Sequence, residues 1–288
     1  MKRDISESQE VEKEKSKEEE RLQSTLQRIR YKVLVLSGKG GVGKSSIAVN
    51  LAVSLAASGK KTGIFDADLH GPSVPTMFGV EGRPLQVKNE KILPVEKEGV
   101  KILSVGFLLQ NQNQALIWRG PMKTGVIRQF FTDAEWGDLD YLIVDLPPGT
   151  GDEPLSICQL FHSPDGAIIV TTPQTIAAVD VRKSITFCKK LNVRVLGVIE
   201  NMSGFICPHC GKESEIFHRG VGGELIAEEM GVPFLGRIPI DPLIGIKSDE
   251  GIPWITEASS TKSGRVFRKI VEPVFSLETV QTKTGSKA

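Results

Sequence analysis

Cysteine is scarce in this chain, with four in 288 residues. That is too few for the disulfide framework of a small secreted scaffold, and it makes metal or redox chemistry the better question for any close pair. Net charge is scarce too. Lys plus Arg number 36 against 35 Asp plus Glu, leaving +1, so bulk charge predicts neither a nucleic-acid coat nor a polybasic membrane anchor. No unbroken apolar run of about 20 residues and no signal-peptide pattern is visible, which makes a cytoplasmic address the expectation. Internal repeats and linkers are also missing after residue 31. What remains is 40% hydrophobic and 25% charged residues, an ordinary globular composition, in a chain long enough to bury about three quarters of its unfolded surface without staples.

The first thirty residues carry eight Lys/Arg and eight Asp/Glu, a neutral but charge-dense stretch too poor in apolar residues to build a core. Its later part is expected to be a docked helix with Leu22, Leu26 and Ile29 as a weak apolar stripe, preceded by a frayed tail. From Tyr31 the texture changes. Short apolar runs at 33–36, 62–65, 102–105, 141–144, 167–170, 193–199 and 234–238 alternate with helical periodicity, the clearest over 44–57. Unbroken apolar strands of this kind belong to a parallel sheet covered on both faces, so the predicted fold is α/β, a doubly wound, mainly parallel sheet. The expected organisation is a charged tail or helix over 1–28, one domain over 29–275 and a polar tail over 276–288. Ligands of such sheets bind at the carboxyl ends of the strands.

Gly38-Lys39-Gly40-Gly41-Val42-Gly43-Lys44-Ser45 fits the G-x-x-x-x-G-K-[ST] phosphate loop between a strand and a helix. Glycines there let backbone N–H groups turn toward phosphates, and the following helix start adds partial positive charge. Lys44 is then expected to reach the β- and γ-phosphates and Ser45 to ligate Mg²⁺. Lys39 is an extra cation. K-G-G-x-G-K-[ST] resembles the deviant Walker A ATPases, which include MinD- and ParA-type positioning proteins, nitrogenase iron protein and iron–sulfur carrier ATPases. The resemblance implies that Lys39 reaches the nucleotide of a facing subunit in a nucleotide-sandwich dimer. It also assigns Asp68 in Phe65-Asp66-Ala67-Asp68 to the attacking water, Asp66 to support of the magnesium site, and Asn201 to the base of the nucleotide. The apolar run Leu142-Ile143-Val144-Asp145 ends in a Walker B aspartate, Asp145, expected to hold Mg²⁺ through a water, and Leu146 to Asp152 then supply a γ-phosphate sensor. The order of these parts suits phosphoryl transfer, which asks mainly for position and charge.

Cys207-Pro208-His209-Cys210-Gly211 is a C-x-x-C turn, the spacing that lets two thiolates converge on one metal or cluster. Two ligands are not enough for tetrahedral zinc or a [4Fe–4S] cluster. Cys158 and Cys188 lie in separate helical segments and read as buried thiols. A two-fold dimer would bring two C-x-x-C pairs to one axis. Zinc, with His209 or His218 as further ligands, and a redox dithiol compete with that account.

Gly38 to Ser46, Asp66 to Ser73, Trp118-Arg119-Gly120-Pro121-Met122, Asp145 to Asp152, Glu200-Asn201-Met202-Ser203-Gly204, Cys207 to Gly211 and Phe234-Leu235-Gly236-Arg237-Ile238-Pro239 together resemble the Mrp/ApbC family of iron–sulfur carrier ATPases. The resemblance runs from about residue 29 to 246. It implies a homodimer that binds and hydrolyses ATP, holds a labile [4Fe–4S] cluster between Cys207 and Cys210 of two subunits, and passes it to apo-proteins, without a nucleic-acid or membrane partner. The four-cysteine N-terminal motif of the longer scaffold relatives is absent, so one bridging cluster per dimer is expected. Two further readings are a MinD/ParA-type nucleotide switch and a reductase like nitrogenase iron protein. The switch would need a membrane or DNA surface, and its best candidate, the apolar and basic 266–271, is soon interrupted by Pro273, so a core-packing last helix is expected there instead.

Overall fold

The computed structural model describes residues 2–69, 71–108, 120–207, 209–210, 212–217, 222–258 and 261–277, with backbone alone for 2–11, 120–123 and 206. His70, Trp118, Arg119, Pro208, Gly211, His218 and the polar end 278–288 lie outside the described residues.

The strands are β1 (Ile29–Leu36), β2 (Thr62–Asp66), β3 (Gln86–Lys88), β4 (Lys91–Leu93), β5 (Val95–Lys97), β6 (Val100–Ser104), β7 (Leu139–Asp145), β8 (Gly166–Thr171), β9 (Val195–Glu200), β10 (Phe205–Ile206), β11 (Glu213–Ser214) and β12 (Phe234–Arg237). The helices are α1 (Lys2–Gln27), α2 (Lys44–Ala57), α3 (Val74–Met77), α4 (Gly120–Thr132), α5 (Asp152–Leu160), α6 (Ala177–Lys190), α7 (Gly223–Glu229), α8 (Pro242–Asp249), α9 (Ile255–Ala258) and α10 (Lys262–Phe275). Eight strands form one sheet in the order β12-β9-β8-β1-β7-β2-β6-β5. All its pairings are parallel except the β5–β6 edge hairpin. Strands β2, β8 and β9 are buried at every position, as expected where helices cover both faces.

Two apolar clusters flank the sheet. One joins it to α1, α4, α5, α6 and α7 through residues such as Leu22, Phe130, Phe131, Trp136 and Ile185. The other joins it to α2, α3, α9 and α10 through Ile47, Leu51, Phe78, Trp254 and Phe267. All seven predicted runs fall on strands of the main sheet, and 44–57 is helix α2.

Three expectations change. The N-terminal segment is helical from Lys2 rather than frayed, in keeping with its spaced Glu/Lys pairs. Ile29 belongs to β1, not to the helix stripe; among the described side chains of α1, Leu22 and Leu26 enter the core. Pro273 lies inside α10 without ending it. The carbonyl that Pro273 cannot serve belongs to Lys269, which is exposed to water, and the apolar side of α10, with Phe267, Ile270, Val271 and Val274, is buried.

Candidate nucleotide site and cysteine hairpin

The central strands β8, β1, β7 and β2 are neighbours, so the residues following their carboxyl ends meet in space. This places the glycine-rich loop after β1, Asp145 at the end of β7 and Asp66 at the end of β2 on one edge. Asp66 and Asp145 are register partners. Gly43 caps α2 with φ of 84°, a left-handed conformation that glycine adopts without steric penalty. A Cβ there would also lie 2.2 Å from Asn201 Nδ2.

Lys44 and Asp145 form a buried ion pair: Nζ donates to Asp145 Oδ1 at 2.6 Å, with side-chain exposures of 7% and 0%. Lys44 Nζ also lies 3.3 Å from Ser45 Oγ. Asp66 is fully buried and accepts from the Asp68 backbone N–H (3.1 Å), the Val74 N–H (3.3 Å) and Ser104 Oγ (3.0 Å). Burial, reinforced by the Asp145 charge, raises the Asp66 carboxyl to about 7. Burial also pushes Asp145 upward against the pull of Lys44.

Two carboxyls therefore face one ammonium in a dry environment. Asp145 Oδ2 is buried with no hydrogen-bond partner among the described residues. This excess of buried acceptor capacity suits a divalent cation. Mg²⁺ commonly takes only one or two protein ligands beside phosphates and water. The donor set fits that habit, and among the described residues no group of three or more His, Cys, Asp or Glu side chains is placed to hold a metal ion.

The other predicted residues lie around this centre. Asp68, half-buried, accepts at Oδ1 from the Gly71 N–H at 3.2 Å, and Asp66 fixes its backbone. Lys39 is half-buried and donates to Gln174 Oε1 at 3.3 Å, in the loop after β8. Gly38, Gly40, Gly41, Val42, Ser45 and Ser46 form the loop and the first turn of α2. Asn201 follows β9; its Nδ2 donates to the Val42 carbonyl at 2.9 Å and its N–H to the Thr171 carbonyl at 2.8 Å. The base-reading candidate is thus laced directly to the phosphate loop. The sensor segment is anchored by the Gly149 N–H on the Ser37 carbonyl at 2.8 Å.

The cysteine pair sits apart from this centre, at the turn of the β10–β11 hairpin, where the Cys207 N–H donates to the Lys212 carbonyl at 3.0 Å. Cys207 is half-buried, Cys210 exposed. Backbone N–H groups of Cys210 and His209 aimed at the Cys207 sulfur, helped by the Cys210 thiol, pull its pKa below the usual range. His209 is exposed in the same turn. Cys158 and Cys188 are buried in α5 and α6, and burial raises both thiols to about 12. They are core thiols, inert as metal ligands where they stand.

The sequence reading gave no role to Gln174, Ser104 or Glu200. Glu200 stood inside a quoted motif, but a lone acidic residue at a strand end reads equally well as a turn. Only the tertiary contacts distinguish it.

Comparisons with known proteins identify the family. A family model described as ParA, NUBPL iron-transfer P-loop NTPase, matches residues 28–275. An iron–sulfur cluster carrier protein of Methanocaldococcus jannaschii is 49% identical over 260 residues, covering 90% of this chain and 89% of its own. The cytosolic Fe-S cluster assembly factor NUBP2 of Gallus gallus is 47% identical over 256 residues, covering 87% and 94%. Among solved structures, a nucleotide-binding protein in complex with ADP from Archaeoglobus fulgidus has a TM-score of 0.72 at 42% identity, covering 83% of this chain and 93% of that one. The cell division ATPase MinD of Pyrococcus furiosus has a TM-score of 0.63 at 25% identity, covering 86% and 99%. With a phosphate loop and two strand-end carboxylates at one end of the main sheet, a C-x-x-C turn on a separate two-stranded hairpin, and relatives of this identity over most of its length, the chain belongs to the NUBPL-type iron-transfer P-loop NTPases of the ParA group.

Proposed function

We propose that the protein is an ATP-hydrolysing carrier of iron–sulfur clusters, working as a homodimer in the cytoplasm and delivering a [4Fe–4S] cargo to apo-proteins. The observation that carries this reading is the C-x-x-C turn of the small β10–β11 hairpin, with two thiols where a cluster needs four, in the same chain as the phosphate loop. A second subunit completes the ligand set. The exposed Ile176 and Val179, at 78% and 55%, lie close in sequence to Gln174 and offer that subunit an apolar face. The name of the M. jannaschii relative supports the cargo, and those of the NUBP2 relatives support the compartment. No described helix is long and apolar enough to cross a membrane. We assign the catalytic unit to 29–275, with 1–28 and 276–288 as appendages.

In the nucleotide site, backbone N–H groups of residues 38–45 cradle the phosphates. Lys44 Nζ sits at the loop between Asp145 and the Ser45 hydroxyl, positioned to follow the β- and γ-phosphate oxygens. Ser45 and, through a water, Asp145 would hold Mg²⁺, which when bound neutralises charge on the transferred phosphoryl group. Asp66 does not reach the phosphates; it sets the backbone of Asp68, whose carboxylate orients the attacking water. Lys39 supplies charge from the facing subunit, and Asn201 reads the base.

Anaerobic reconstitution with iron and sulfide tests the cargo. About four irons per dimer are expected, and either Cys207→Ala or Cys210→Ala should abolish the brown chromophore. Cluster content that survives either substitution overturns the assignment. The lowered Cys207 thiol also favours zinc, so zinc is quantified in the same samples, and stoichiometric zinc that resists replacement would favour a zinc-bridged dimeric ATPase. The MinD/ParA-type reading loses its membrane element, because the apolar side of α10 is buried.

A further inference from the structure

The segment that carries Cys207 and Cys210 leaves the sheet after Glu200 and comes back beside Glu200 at Gly222, where α7 begins. Both of its ends are held by the same carboxylate. Glu200, 1% exposed, accepts at Oε1 from Ser203 Oγ at 2.6 Å on the outgoing side. At Oε2 it accepts from the Gly223 N–H at 2.7 Å on the returning side.

Gly222 has no side chain to keep the backbone away. A Cβ there would stand 2.7 Å from Glu200 Oε2. Arg237 on β12 balances the buried charge, donating from Nε to Glu200 Oε1 at 3.2 Å. The next residue, Asn201, holds the Val42 carbonyl of the phosphate loop. A continuous chain of directed contacts thus runs from Val42 through Asn201 and Glu200 to both ends of the cysteine segment. Its one long side chain, that of Glu200, is buried.

We propose that Glu200 is the positioning residue that couples the nucleotide state of the phosphate loop to the exposure of the Cys207–Cys210 pair. This rests on the reading of the two sites given above. A shift of the loop at Val42 pulls on Asn201, and because Glu200 grips both ends of the segment, the hairpin moves as a unit. Glu200 touches neither phosphate nor sulfur. Coupling of this kind is a difference between two states, so it is measured as a ratio, not as a level.

The test uses the full-length, reduced, chelator-treated protein and follows N-ethylmaleimide labelling of each cysteine by mass spectrometry. Rates are compared with and without magnesium and a non-hydrolysable ATP analogue. In the wild type the analogue is expected to change the labelling rate at Cys207 and Cys210 by about fivefold or more. In Glu200→Gln the analogue should still bind by direct titration, Cys158 and Cys188 should stay unlabelled as the sign of an intact core, and the ratio should fall below about twofold.

If that variant loses its core protection, Ser203→Ala is read instead, because it removes only the Glu200 contact on the outgoing end, and a reduced ratio is expected. A wild-type ratio in Glu200→Gln, or in Ser203→Ala when that variant stands in, overturns the proposal. So does a wild type whose cysteines ignore the nucleotide. Iron content and ATP turnover, measured in parallel, report separately on the carrier reading, so either idea can fail without the other.

Discussion

Lys44 and Lys39 lie five positions apart, yet what holds them differs entirely. Lys44 is buried on Asp145, whereas Lys39 rests half-buried on an uncharged Gln174. Lys44→Ala removes the phosphate cation and leaves a buried carboxylate without its partner, so nucleotide affinity is expected to fall by about tenfold or more in a fluorescent-nucleotide titration. Lys39→Ala should leave affinity within about threefold and lower turnover instead. Wild-type turnover in both variants would defeat these roles. Asp66 gives a pH signature. A carboxyl raised from 3.8 to about 7 holds its proton more tightly in the folded chain. Its stabilising contribution is therefore complete below the unfolded pKa and is lost as pH rises through the folded one. Asp66→Asn, permanently neutral, should gain roughly 2 kcal/mol on the wild type between pH 5 and 8 in urea unfolding without divalent cations. A difference that stays flat across that range would locate the buried proton elsewhere. The thiols divide in the same way: Cys207 should react with maleimide well before Cys158 and Cys188, which burial holds near 12.

Among the elements, α1 shows how a charge-dense helix is retained. Its residues 12–17 are exposed, while Leu22 and Leu26 enter the core on the α4 side and Arg128 of α4 pairs with Glu18 at 2.8 Å and with Glu19. Leu22→Ala is expected to cost about 2–5 kcal/mol in urea unfolding, and Glu18→Gln less than about 1. Equal costs would mean that the ion pairs, not the leucines, hold the helix. The sheet itself was legible because each central strand is a short apolar run buried on both faces, a pattern that needs no tertiary information. The edge strand β5, the β3–β4 pair and the two-residue strands β10 and β11 were not. Their residues are largely exposed or half-exposed, so no hydrophobic signal marks them. Site residues followed the same division. Lys44, Asp66 and Asp145 announce themselves by motif and strand end, whereas Gln174 matters through Lys39, 135 positions away, and Glu200 through Gly223 and Arg237, 23 and 37 positions away, as well as its near neighbour Ser203.

At the scale of the whole molecule, the proposed sharing of a ligand set between two chains would make cargo and assembly one equilibrium. Light scattering should show a particle of twice the 31.4 kDa chain after anaerobic loading, and Cys210→Ala should remove any gain in dimer that loading produces. A loaded monomer with a full complement of iron would contradict the shared site. The grip of Glu200 on both ends of the hairpin has a consequence for how such proteins diversify. A segment whose entry and exit meet at one carboxylate closes its loop before it leaves the sheet, so its length and contents are nearly independent of the strands that bear it. The cysteine hairpin is in this sense a cassette. On the proposed function, exchanging residues 204–221 for another ligand-bearing loop would give the same nucleotide site a different load.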